Sequence, residues 1–185
     1  MGGVEHTFNG ALAEWREFAQ LIDQGIHMLD LFLYLGGDFD SVHATVSNLY
    51  WHLDVEDNVF ATLENTETGL TASLHSTMTQ WRHMFSLEVF LEKGYLVLNG
   101  LMTSSDTYGD EVLTIARNRS TAPAATWEDE EHITYHNDES MKIETEGFFS
   151  AIYHNRRVCI GCSDDALQLM RIIDKIYSFR KDTPN

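Results

Sequence analysis

The chain has 185 residues, 43% of them hydrophobic, which suits one domain with a substantial core. Its formal net charge of -17 argues against sequence-independent binding to nucleic acid or to an anionic membrane, since both depend on clustered Lys and Arg. The longest apolar run, Ile26 to Leu35, is broken by His27 and Asp30 and is too short to cross a bilayer. With no basic region or apolar signal segment in Met1-Gly2-Gly3-Val4-Glu5-His6, a cytoplasmic protein is expected.

The first helical pattern, firm from Ala19 to Leu35, stops at Gly36-Gly37. It is apolar except for one stripe: Asp23, His27 and Asp30 stand at i, i+4 and i+7, so at 3.6 residues per turn they share one side. Leu21, Ile22, Ile26, Met28, Leu29, Leu31, Phe32, Leu33 and Leu35 around them could not all face water, and the stripe is expected to look into a cleft. Strand signals follow. Val42, Ala44 and Val46 alternate with polar residues in Ser41 to Trp51. Val59, Ala61 and Leu63 pair through the Asn65–Gly69 turn with Leu70, Ala72 and Leu74 as a hairpin. Phe85 to Leu91 turns at Lys93-Gly94 into Tyr95 to Asn99, and Val112 to Ala116 gives a further strand.

Residues 117 to 131, with Pro123 and the acidic run Glu128-Asp129-Glu130-Glu131, read as a solvated connection, and Ile133 with Tyr135 as a short strand. Two helices close the chain. Glu139 to Asn155 carries Phe148, Phe149 and Ile152, and Asp164 to Arg180 carries Leu167, Met170, Ile173 and Tyr177 behind Ser163 as N-cap. Phe148, Phe149 and Tyr177 are expected in the core. The order predicts an α+β fold: a large, mostly antiparallel open sheet with helices packed on one face. Leu49, Trp51, Phe60, Phe90, Leu96 and Leu98 put large side chains on the second face, which suggests an oligomer interface.

An imidazole moves a proton near neutral pH and a carboxylate in reach can orient it, so the stripe suits general acid/base work. From spacing alone His27 is equally an ordinary core or surface histidine with solvated acids. A metal site is a third reading, without the His-Glu-x-x-His pattern of helical zinc sites. Cys159 and Cys162 form a lone pair that no second Cys pair completes. His52 with Asp54, and His132 with His136, read as surface pairs before metal ligands. Trp81-Arg82-His83, and Tyr153 with His154, lie where they could reach a cleft or a partner subunit.

Asp23-x-Gly25-x-His27-x-x-Asp30, followed by an apolar stretch and Gly36, resembles the C-terminal substrate domain of the Gfo/Idh/MocA oxidoreductases. So do Val55-Glu56-Asp57-Asn58 before a strand, the Thr68-Gly69 hairpin, and Ser163-Asp164-Asp165-Ala166-Leu167 opening the last helix. The resemblance implies the C-terminal fold of the glyceraldehyde-3-phosphate dehydrogenase type. It also implies action on a hydroxyl of a sugar, sugar derivative or polyol, with His27 moving the proton, Asp23 as its orienting or substrate-binding partner, and Asp30 structural. A homodimer or higher oligomer through the open sheet face is implied as well.

Family enzymes begin with a Rossmann domain whose Gly-rich turn holds the dinucleotide, and carry a catalytic Lys in a Glu-Lys-Pro motif. Neither is present here: Lys93 stands in the hairpin turn Glu92-Lys93-Gly94, and Ala19-Gln20 replaces the Gly pair common before the helix. Residues 1–185 are therefore expected to be a single C-terminal domain without the nucleotide-binding half. NAD or NADP would be held by that other half and not by this chain. A non-catalytic ligand-binding or oligomerisation module of the same fold is the alternative.

Overall fold

The computed structural model describes residues 19–48, 50–51, 54–103, 105–118, 125–158 and 161–180. They belong to two compact units, one drawn from Met1–Thr79 and Val158–Asn185, the other from Gln80–Arg157. In the first unit a π-helical turn, Leu21–Gly25, runs directly into α1, Ile26–Gly36. Strands β1 (Ser41–Ser47), β2 (Asn58–Asn65) and β3 (Leu70–Thr77) make an antiparallel sheet in that order. The second unit holds β4 (Ser86–Leu91), β5 (Gly94–Asn99), β6 (Glu111–Arg117) and β7 (Glu131–Tyr135), antiparallel and in sequence order, then α2, Ser140–Tyr153. The closing helix α3, Ser163–Tyr177, belongs to the first unit.

The α+β class is borne out, and all the ladders are antiparallel. Among the described residues the seven strands form two sheets, of three and four strands. The chain leaves β3 through bends at Met78, Trp81 and Arg82, not through a hairpin that would continue the ladder.

The first unit contains the core. Period-2 alternation turns Ala44, Val59, Ala61, Leu63 and Leu74 to one face of the sheet, and all are buried. Against them pack Leu21 and Leu29 from the first helix and Leu169, Ile172, Ile173 and Ile176 from α3. The other face presents His43, Thr45, Phe60, Thr62, Ser73 and His75 to solvent, where the rings of Phe60 and His75 stack 4.0 Å apart. Desolvation holds the His75 imidazole below its ordinary pKa. The β2–β3 turn is tied by Asn65, whose Oδ1 accepts from the Glu67 and Thr68 amides, and Gly69 takes the positive φ that a side chain would resist.

Two expectations need correction. Phe148 and Phe149 are not core: both lie on α2 with more than half of their surface exposed, as does Ile152. Helical spacing makes a helix amphipathic but does not name what covers it. The N-cap of α3 is Cys162, one residue before Ser163. Its thiol accepts from the Asp165 backbone while the Asp165 carboxylate accepts from the Cys162 amide at 2.9 Å, a capping box with a cysteine in the serine's place. Cys159, His52, Leu49 and Pro123 lie outside the described residues. No helix among the described residues is long and apolar enough to cross a membrane.

One polar cluster sits inside this core. Glu56, 1% exposed, accepts at Oε1 from the Leu21 amide at 3.0 Å and from the Tyr177 hydroxyl at 2.8 Å. A backbone hydrogen bond from Ile22 reaches the same hydroxyl. Two amides at the start of the helix, which have no partner within it, thus find acceptors on other elements. Asp57 is equally buried and accepts at Oδ2 from the Tyr50 and Trp51 amides at 2.7 and 3.0 Å, fixing the β1–β2 connection.

Ile173 has no exposed surface, so Ile173→Ala should lower unfolding free energy by about 2–5 kcal/mol in chemical denaturation. Burial, then the hydrogen bond to Glu56 and its charge, raise the Tyr177 phenol above its ordinary 10.0. The unfolded chain therefore ionises this group first, and stability falls as pH rises past 10 towards the folded-state value. Tyr177→Phe should be less stable at neutral pH yet show a shallower loss between about pH 10 and 11, measured by urea unfolding at each pH.

Candidate functional site

The first helix enters from Ala19, and its inner side is set by Leu21, Gly25 and Leu29, all buried. Gly25 lets it approach β3 closely: a Cβ there would meet Ser76 Oγ and the Leu21 side chain at 3.0 Å. Ser76 also accepts from the buried Gln20 amide at 3.0 Å, so the turn is fastened to β3 at both ends. The glycine of the Asp23-x-Gly25-x-His27 motif thus serves helix–sheet packing, and the polar residues around it are left pointing outward.

Asp23 is half-buried, and its Oδ2 accepts from the Gln24 side chain at 2.8 Å. His27 and Asp30 are exposed, and no hydrogen bond or ion pair joins the three among the described residues. His27 and Asp30 face solvent and Asp23 is partly covered, and the hollow described below includes none of them. Its geometry also departs from the α-helical expectation. The Ile26 amide donates to the Leu21 carbonyl, an i→i+5 bond, and Asp23 lies inside this widened turn while His27 and Asp30 follow it in regular α1. The azimuth of Asp23 relative to His27 is set by the π register and not by i,i+4 spacing.

Chemically, the site offers an exposed imidazole and a half-buried carboxylate on the same helix, carried by a segment whose inner side is locked into the core. A hollow of about 370 Å³ lies at the opposite end of that helix, between the α1–β1 connection and α3, lined by Asp38, Asp40, Arg171, Asp174 and Lys175. It contains none of the motif residues.

The remaining candidates are taken up elsewhere or stand alone. His132 Nδ1 bonds Thr114 Oγ1 at 3.0 Å, and its Nε2 lies 3.6 Å from Glu130, whose other oxygen accepts from the Tyr95 hydroxyl. Trp81 is almost wholly exposed, Arg82 donates to the His83 carbonyl, and the His83 ring lies 5.1 Å from that of Tyr108. His154 Nδ1 bonds the Ser150 carbonyl, and Tyr153 faces solvent. Among the described residues no three His, Cys, Asp or Glu side chains gather in a metal-holding group.

Sequence reasoning left Glu56, Gln20 and Tyr177 without a role at this helix. Of these only Glu56 carried a signal, its place in the Val55-Glu56-Asp57-Asn58 stretch ahead of a strand. Tyr177 read as core and is half-buried, but its hydroxyl, on Glu56, matters more than its ring.

Residues 9–97 match the model of the GFO/IDH/MocA C-terminal domain. No curated protein matches the chain. Among solved structures, a protein from Desulfitobacterium hafniense described as an NADPH-dependent oxidoreductase has 17% identity and a TM-score of 0.67, over 86% of this chain and 45% of its own. The 3-ketoreductase KijD10 of Actinomadura kijaniata, in complex with TDP-benzene and NADP, has 19% identity and a TM-score of 0.66, over 90% and 49%. The WlbA dehydrogenase of Bordetella pertussis, in complex with NADH and UDP-GlcNAcA, has 17% identity and a TM-score of 0.61, over 87% and 42%. The chain spans about half the length of the solved structures it matches.

Proposed function

We propose that this chain, residues 9–97 of which match the GFO/IDH/MocA C-terminal domain, is the substrate-binding part of an NAD(P)-dependent oxidoreductase acting on a hydroxyl of a sugar, sugar derivative or polyol. The observation that carries the reading is the outward-facing Asp23 and His27 on a helix whose other side is fastened to the core by Gly25, Gln20 and Glu56. Two reactive side chains held on a rigid support suit a site completed by another domain. The complexes of similar solved structures with TDP-benzene and NADP, and with UDP-GlcNAcA and NADH, favour the same substrate and cofactor class.

In this reading His27 takes the proton from the substrate hydroxyl, and Asp23 binds the substrate or orients the imidazole. Asp30 is structural. A bound nicotinamide would supply the hydride acceptor. The described residues fit it poorly as a resident group, because every ladder is antiparallel and the pyrophosphate cradle belongs to a strand–Gly-rich turn–helix unit of a parallel sheet. The cofactor therefore arrives with a nucleotide-binding domain, and residues 1–185 act as one substrate and dimerisation domain beside it.

The oligomeric part of the reading rests on the second unit. Leu87, Val89, Leu96, Leu98, Leu113 and Ile115 share one face of its sheet by register, and none is buried. A face of six half-buried aliphatic side chains favours pairing with a second copy.

Joined to a nucleotide-binding domain and screened against sugars, sugar nucleotides and polyols, the protein should reduce or oxidise a nicotinamide, read at 340 nm. His27→Ala should lower kcat about 10²–10⁴-fold, the usual worth of a general base. Turnover that survives His27→Ala would move the proton transfer elsewhere. Ligand binding without any turnover would leave the non-catalytic module. For the interface, light scattering should find a dimer or larger assembly that Leu98→Glu converts to monomer with circular dichroism unchanged, whereas a wild-type monomer rejects the interface.

A further inference from the structure

The π-turn is a costly way to begin a helix. Regular i→i+4 bonding is the default, and single π-turns persist where the surroundings hold them, often beside functional residues. Here Leu21–Gly25 is gripped from two directions. From the β1–β2 connection Glu56 accepts from the Leu21 amide, and from α3 the Tyr177 hydroxyl accepts from Ile22 and donates a hydrogen bond to the same Glu56 oxygen. From β3, Ser76 accepts from Gln20 just before the turn and packs against Gly25 at its end.

Return to the α register would remove one residue from the widened turn. It would rotate the residues before the turn by roughly 100° relative to those after it, carrying Leu21 and Ile22 off their acceptors. A buried carboxylate is a poor choice for filling space. Glu56 Oε2 is buried with no hydrogen-bond partner among the described residues, and an apolar side chain of similar volume would avoid that desolvation. What Glu56 provides that Met would not is an acceptor for Leu21.

We infer that Glu56 and Tyr177 are positioning residues that hold Leu21–Gly25 in the π register and so fix where Asp23 stands relative to His27. Asp23 lies within the gripped turn, His27 two residues beyond it, and the two groups that hold the turn come from elements remote in sequence. The consequence for chemistry rests on the reading of Asp23 and His27 as the substrate site, but the register itself does not.

The test is made on the isotopically labelled chain without ligand, by nitrogen–carbonyl coupling across hydrogen bonds in the NMR spectrum. In the wild type the Ile26 amide should couple to the Leu21 carbonyl. Glu56→Gln, which keeps an oxygen acceptor, should preserve that coupling. Glu56→Met, which keeps the volume and loses the acceptor, should replace it with coupling to the Ile22 carbonyl and change the contacts seen between Asp23 and His27 protons. A purely structural Glu56 would alter melting temperature and leave the coupling partner unchanged. Coupling of Ile26 to Leu21 in Glu56→Met, or to Ile22 already in the wild type, overturns the inference. Should Glu56→Met fail to fold, Tyr177→Phe decides: loss or weakening of the Leu21 coupling supports the clamp, and an unchanged coupling overturns it. Adding myo-inositol and D-glucose as probes to the wild type then checks the site separately. Absence of any shift at Asp23 and His27 counts against the substrate reading and leaves the register result as it stands.

Discussion

A buried carboxylate at the start of a helix organises the first unit. Glu56 is sequestered from water among aliphatic side chains, where an unpaired charge would cost several kcal/mol. It is compensated by the positive end of the helix dipole, by the Leu21 amide, and by the Tyr177 hydroxyl. That single requirement ties three remote pieces of chain together: the β1–β2 connection that carries Glu56, the first helix and α3. Asp57, the next residue, repeats the device on the loop before it. The Glu56-Asp57 pair is thus a structural junction, with one carboxylate turned to the helix and the other to the loop.

The outward face of the first helix follows from this inward one. Leu21, Gly25 and Leu29 are committed to the core, and Gly25 sets the approach to β3 because any side chain would crowd Ser76. What remains, including His27 and Asp30, must face out. The polar residues on that outer side are carried by a segment whose inner contacts already fix it.

Much of this was legible in the sequence, for identifiable reasons. The β2–β3 and β4–β5 hairpins came from strict alternation around Asn65–Gly69 and Lys93-Gly94. The structure requires a glycine at position 94, where a Cβ would sit 2.0 Å from the Ala116 carbonyl oxygen. The first helix came from its apolar periodicity, but periodicity at 3.6 residues cannot show a π-turn. That turn is dictated by Glu56 and Tyr177, which lie 35 and 156 residues beyond Leu21, and local pattern carries no trace of them. The same limit explains Cys162. Asp165 closes the capping box, but a thiol is an unusual cap and Ser163 beside it reads as the better one.

The second unit shows the converse error, a pattern read correctly and assigned to the wrong environment. Phe148, Phe149 and Ile152, on α2, are exposed where core was expected, whereas Leu96 and Leu98, expected on the open sheet face, share one face with Leu113 and Ile115. Among the described residues of this unit only Gly100 is buried. An amphipathic pattern records that a surface is selected to be covered; whether the cover is the same chain is a separate fact. The chain spans about half the length of the solved structures it resembles, and its own first unit closes a core without these residues. On α2 the spacing of Phe148, Phe149 and Ile152 predicted burial, and among the described residues nothing supplies it, because periodicity fixes which residues share a side and not what lies against them.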